Sequence, residues 1–170
     1  MQGEGVRRVR IAGCRSCAAA VLGLSLLSPA LAQAAETTRP EYVAQAEPIC
    51  KVNTKANERI LSGVKTEVKK NELKPAAAQL SKASSALRGT LDELRTVPQP
   101  PADHARLGKW LGYVKTEAEL FQSAAEKLRE NNKFGAEAMV LRLSNNATLA
   151  NNTVLEFGFH YCRFEPAKFL

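Results

Sequence analysis

The sequence predicts an all-α protein, an up-down-up-down bundle of four helices closed by one disulfide. Two observations carry this prediction. Four segments after residue 47 place apolar residues three or four positions apart, which is the spacing of one helix face. Two cysteines, Cys50 and Cys162, flank these segments, and a disulfide between them would join the start of the first helix to the segment after the fourth.

The first 34 residues have the three parts of a secretory signal peptide. Four arginines precede an apolar stretch from Cys17 to Leu27, and alanines follow at positions 30, 32 and 34. We expect cleavage near Ala34 and a location outside the cytoplasm, either secreted or in the cell envelope. The apolar stretch is shorter than the roughly 20 residues that cross a bilayer, so no transmembrane anchor is expected. Cys14 precedes that stretch instead of following it, which argues against a lipid anchor.

A short N-terminal lead, residues 35–47, comes before the bundle, which we place at residues 48–162. Pro48 is tolerated only in the first turn of a helix or at a kink, so the first helix starts or bends there. A C-terminal tail follows at residues 163–170. The apolar stripe of the first helix consists of Ile49, Val52, Ala56, Ile60, Val64 and Val68.

The other three helices are predicted in the same way. The second opens at Pro75 and ends at the proline-rich run 97–101, which cannot continue a helix. The third starts near Asp103 and ends at residues 131–132, and the fourth runs from about Gly135 to a stop at Gly158. Such spacing is typical of helices that pack at shallow angles. The stripes are Leu80, Ala83, Leu87, Leu91 and Leu94; Leu107, Trp110, Val114, Ala118, Phe121, Ala125 and Leu128; and Ala136, Val140, Leu143, Ala147, Ala150, Val154 and Phe157.

Cys50 and Cys162 remain after removal of the leader, which carries Cys14 and Cys17. Disulfides form and persist outside the cytoplasm, and two cysteines allow one intramolecular pairing. In an up-and-down bundle the start of the first helix and the end of the fourth lie at the same end. The predicted topology and the predicted disulfide are therefore geometrically compatible.

The charge of the mature chain argues against a polyanionic partner. The whole sequence has 24 basic and 17 acidic residues, and removal of four arginines and Glu4 leaves 20 and 16, a net charge of +4. These charges are mixed along the helices, as on a solvated surface. We therefore expect no nucleic acid partner.

No pattern of residues indicates an active site. The two histidines, His104 and His160, lack a third ligand for zinc, and no Cys-x-x-Cys-His motif for haem is present. The glutamates include no Glu-x-x-His pair for a di-iron centre. We interpret them as residues of a solvated face: Glu117, Glu119, Glu126, Glu130 and Glu137. The sequence predicts no enzyme, no metal and no cofactor.

Four residues are candidates for a binding role. Trp110 and Phe121 would line a pocket between the helices, Asn146 borders the apolar stripe of the fourth helix, and Tyr161 belongs to an aromatic group after it. The first hypothesis is a non-catalytic helical module of the cell envelope that binds a protein or a cell-wall component. The alternative is a small-ligand carrier with a pocket between the helices.

Three short motifs carry a resemblance to other proteins. They are Tyr42-Val43-Ala44-Gln45-Ala46 with Ile49-Cys50, the proline-rich stretch from Leu94 to Asp103 before Trp110, and Asn151-Asn152 with Phe157-Gly158-Phe159 and Cys162. The chain resembles uncharacterised exported helical proteins and lipoproteins of high-GC Gram-positive bacteria, which share a Tyr-x-x-x-Ala-x-x-Ile-Cys opening and a Gly-Phe-x-x-Cys ending. The resemblance implies a disulfide-bonded helical fold and no particular reaction.

Overall fold

The computed structural model describes residues 36–168, and every regular element in that range is an α-helix or a 3-10 turn. The helices are α1 (Arg39–Leu61), α2 (Val64–Lys69), α3 (Leu73–Thr96), α4 (His104–Arg129) and α5 (Lys133–Thr153), with 3-10 turns at Pro101–Asp103, Leu155–Phe157 and Pro166–Lys168. The four long helices pack together, α1 on α3, α3 on α4 and α4 on α5, which confirms the all-α prediction. The up-and-down course of these helices stays a prediction. The predicted leader, residues 1–34, lies outside the described residues.

The apolar stripes predicted for the last three helices form most of the core. Every stripe residue of α3 and α4 is buried, and on α5 only Val140 is half-buried. The stops predicted for the second and third helices are also confirmed. α3 ends at Thr96, just before the proline-rich run, and Asn131 follows α4 with a left-handed φ of 56°. The fourth helix, α5, ends at Thr153, before the predicted stop. Gly158 instead ends the 3-10 turn that follows, with a φ of 64° that glycine adopts without the steric penalty of a Cβ.

The first helix begins nine residues before Pro48, at Arg39. Thr38 and Glu41 form a capping box, because the Thr38 hydroxyl accepts from the Glu41 backbone N–H at 3.4 Å and the Glu41 carboxylate accepts from the Thr38 backbone N–H at 2.7 Å. Pro40 occupies the first turn, where its missing N–H is harmless. Pro48 therefore lies inside α1, and most of the segment predicted as a lead is helical.

The buried face of α1 lies one position away from the predicted stripe. Val52 is 71% exposed, and Ile49, Ala56 and Ile60 are only half-buried. The prediction was wrong because it followed the β-branched residues and passed over a cysteine and two asparagines, which the fold turns inward. The residues buried on α1 are Tyr42, Ala46, Cys50, Asn53, Asn57 and Leu61.

Cys50 and Cys162 form the predicted disulfide, which bridges a sequence separation of 112 residues with the two Cα atoms 5.0 Å apart. Because α1 begins at Arg39, Cys50 lies in the middle of that helix and not at its start. Glu47 holds the opposite segment in place: its carboxylate accepts hydrogen bonds from the backbone N–H groups of His160 at 2.7 Å and of Tyr161 at 3.0 Å. The segment after α5 is thus tied to the centre of α1.

Candidate functional site

The four binding residues predicted from the sequence lie in different parts of the structure. Trp110 is fully buried, and its ring stacks on that of Phe159 with the centroids 5.4 Å apart. Phe159 in turn contacts the rings of Tyr42 and Phe157, and all these rings are buried. Trp110 therefore belongs to an aromatic cluster of the core and does not meet the other three candidates.

Phe121 and Tyr161 line a small cavity, which we call the inner cavity, between α1, α3, α4 and the segment after Cys162. Its volume is about 70 Å³, which is room for about two water molecules. Pockets for small organic ligands are larger, about 300 Å³ or more. The inner cavity is therefore too small for the carrier function that these residues suggested.

Asn146 connects α5 to the edge of the inner cavity. Its side-chain amide donates to the Glu117 carboxylate at 3.0 Å and to the backbone carbonyl of Tyr113 at 3.0 Å. Glu117 lines the cavity itself. Of the four predicted residues, the structure therefore brings Phe121 and Tyr161 together and joins Asn146 to them through Glu117.

Glu117 is only 2% exposed, so its interpretation as a residue of a solvated face was wrong. Loss of water around the carboxylate raises its pKa from 4.5 to about 7, and the hydrogen bond from Asn146 offsets part of that rise. The sequence contained the signal. Glu117 follows Val114 by three residues and precedes Phe121 by four, which places it on the buried face of α4.

Two buried asparagines of α1 complete the polar part of the inner cavity. Asn57 donates to the side-chain oxygen of Asn53 at 3.3 Å. The side-chain oxygen of Asn57 is buried, and it has no hydrogen-bond partner among residues 36–168. Such an oxygen can accept a hydrogen bond from a water molecule in the cavity. No cluster of three or more His, Cys, Asp or Glu that could hold a metal occurs in residues 36–168, and nothing in this arrangement points to catalysis.

A larger opening of about 440 Å³ lies between α2 and α5, and we call it the α2–α5 groove. The two helices form its walls, and residues of α3 and α4 form its floor. Its volume falls within the range of small-molecule sites, about 300–1,000 Å³. The groove is lined by Val64, Val68, Leu80, Ala124, Leu128, Ala136, Val140 and Leu141, together with Lys65, Lys69, Lys133 and Glu137.

The solvent-facing side of α5 carries large exposed apolar side chains, of which Leu141 lines the groove and Phe134 does not. Leu141 is 68% exposed and Phe134 is 83% exposed. The two residues are seven positions apart, so they lie on the same side of α5 about two turns from each other. α5 therefore carries apolar residues both toward the core and toward solvent. Large apolar side chains exposed on one side of a helix are candidates for an interaction surface.

Another depression of about 540 Å³ lies at the end of α5, and it has a different character. Arg106 and Glu156 line it and form an ion pair at 2.5 Å, and Glu156 also pairs with Arg39 at 3.4 Å. These charged groups already have partners within the fold. The α2–α5 groove is therefore the better candidate, because its apolar lining gains most from being covered.

The chain matches no protein-family model, no curated protein and no solved structure. Among the helices of residues 36–168, none combines the length and the apolar character that crossing a membrane requires. The disulfide is compatible with a location outside the cytoplasm, where such bonds persist.

Proposed function

We propose that the protein is an exported, non-catalytic module that binds the apolar part of a cell-envelope component in the α2–α5 groove. The observation that carries the proposal is the groove itself, an opening of about 440 Å³ whose lining is aliphatic apart from four charged residues. The signal-like first 34 residues and the disulfide support export.

Apolar contacts in such a groove would contribute free energy to binding. Each methylene group that leaves water for an apolar wall contributes about 0.8 kcal/mol. Ten methylenes would contribute about 8 kcal/mol, against association costs of at least about 4 kcal/mol. A ligand of this size can therefore be held without any catalytic or metal group.

A second candidate function is protein binding through the solvent-facing side of α5. The observation that favours it is the exposure of Phe134 and of Leu149, which is 51% exposed and does not line the groove. This surface would be covered by a partner protein instead of a small ligand. The two candidates differ in which apolar residues of α5 are essential.

Nile red, a neutral apolar fluorophore, tests the proposal on the mature protein. We expect saturable binding that the double substitution Val68→Asn with Leu141→Asn weakens about tenfold, because about 1–2 kcal/mol of apolar contact is lost. The matched control is Val52→Asn with Leu155→Asn, which removes two apolar residues, 71% and 73% exposed, outside the groove.

Two results would count against ligand binding in the α2–α5 groove. One is dye binding by the Val68→Asn, Leu141→Asn protein that equals binding by the control. The other is dye binding that depends on Phe134 and Leu149 and not on Val68, which would favour the protein-binding candidate. Circular dichroism of each variant checks that its helices remain.

A further inference from the structure

We infer that the occupant of the α2–α5 groove is a single acyl chain that ends in an anionic group, as the chain of a fatty-acid carboxylate does. This inference rests on the proposed function and adds the chemistry of the ligand. It follows from the volume of the groove, from the composition of its walls and from the charge of its rim.

The volume favours a narrow ligand. A helix with its side chains is about 10 Å across, so a volume of about 440 Å³ corresponds to about one helical turn. One turn offers a partner helix few contacts. An extended hydrocarbon chain is much thinner than a helix and can use the whole length of the groove.

The walls contain no uncharged polar side chain. Every lining residue is either aliphatic or one of the four charged residues at the rim. Sugars and peptides need hydrogen-bonding groups inside their sites, and unpaired polar groups of such ligands would lose free energy here. A hydrocarbon chain matches these walls.

The rim is cationic. Lys69 of α2 and Lys133 of α5 come from opposite walls, Lys65 adds a third positive charge, and Glu137 is the single acidic residue of the lining. A lysine places a compact charge on a flexible apolar stem, so it can cover a chain and still reach an anionic head at the mouth. The rim therefore favours an anionic head over a neutral or cationic one.

Displacement of Nile red from the mature protein by three ligands with the same chain tests this inference. The ligands are laurate, dodecanol and dodecyltrimethylammonium, each used as a monomer below its micelle concentration. We expect laurate to displace the dye at the lowest concentration and dodecyltrimethylammonium at the highest. Added salt should reduce the advantage of laurate, because it screens charges at the protein surface.

A pair of lysine variants isolates the charge contribution. Lys69→Gln with Lys133→Gln should weaken laurate binding about fivefold, while Nile red binding changes less than about twofold. The matched control is Lys82→Gln with Lys109→Gln, which removes two exposed lysines of α3 and α4 outside the groove. The control should bind laurate like the unsubstituted protein.

The outcomes separate the two proposals. Equal displacement by laurate and dodecanol, with Nile red binding intact, overturns the anionic ligand and leaves the proposed function standing. Absence of Nile red binding overturns both. Sedimentation velocity tests a third outcome. If the protein sediments as a dimer, and if the double substitution Val68→Asn with Leu141→Asn makes it a monomer, a second copy of the chain occupies the groove. That result would overturn the inference.

Discussion

Replacement of Glu117 by glutamine should stabilise the protein at alkaline pH and leave its stability nearly unchanged at acid pH. Glu117 lies in the core with a pKa of about 7, against an ordinary value of 4.5 in the unfolded chain. Well below pH 4.5 the carboxyl is protonated in both states, and burial of the neutral form carries no charge penalty. As the pH rises from 4.5 to 7, the unfolded chain loses this proton first, so the folded state loses stability.

The size of this loss follows from the two pKa values. At about 1.36 kcal/mol per pKa unit, the difference between 4.5 and about 7 corresponds to about 3 kcal/mol, which is fully present by about pH 8. Glutamine has the shape of the protonated carboxyl and carries no charge. Its side-chain oxygen can still accept the hydrogen bond from Asn146, which is 3.0 Å long in the unsubstituted protein.

Urea unfolding of the two proteins at about pH 4.5 and about pH 8 measures this difference. We expect the free energies of unfolding to differ by less than about 1 kcal/mol at the lower pH and by about 3 kcal/mol, in favour of Glu117→Gln, at the higher pH. The control is Glu119→Gln on the same helix. The exposed side chain of Glu119 pairs with Lys115 at 3.5 Å, and its replacement should change the free energy of unfolding by less than about 1 kcal/mol at either pH. An advantage of Glu117→Gln that does not grow with pH would refute the reasoning.

Two further predictions concern the disulfide and the leader. Replacement of both Cys50 and Cys162 by alanine should lower the free energy of unfolding by up to about 4–5 kcal/mol, because the bond closes a loop of 112 residues; an unchanged urea midpoint would contradict this. N-terminal sequencing of exported protein should give a start close to residue 35, and a start before Cys17 would disprove the leader.

The parts of the fold that the sequence predicts well are those in which apolar residues alone decide which face is buried. On α3 and α4 every predicted stripe residue is buried. On α1 the buried face includes Asn53 and Asn57, and a count of apolar residues cannot find polar residues that face a cavity. The start of α1 was predictable from the Thr38–Glu41 capping box. Pro48 masked that signal, because a proline inside a helix removes one hydrogen bond and its ring crowds the preceding turn, yet α1 continues through it.

The candidate site was less accessible to sequence reasoning. Leu141 and Phe134 look like any other apolar residues of a helix, and only the packing shows that no other helix covers them. Trp110 shows the reverse case, because a large aromatic residue that suggested a pocket is fully buried and stacks on Phe159. Whether an apolar residue lines a groove or fills a core depends on neighbours that are distant in the sequence.

One wall of the groove is α2, a short helix that is separate from α1. Gly63 lies between α1 and α2. A Cβ at this position would lie 3.2 Å from a carboxylate oxygen of Glu67. The same oxygen accepts a hydrogen bond from Gln79 of α3 at 2.7 Å. A helix of six residues is not stable alone, so α2 depends on this bond and on the burial of Val64. A ligand in the groove would cover Val68 and so add to the contacts that hold α2. Ligand binding, if it occurs as proposed, would then be linked to the order of α2, since a ligand that binds only the ordered wall must also stabilise it.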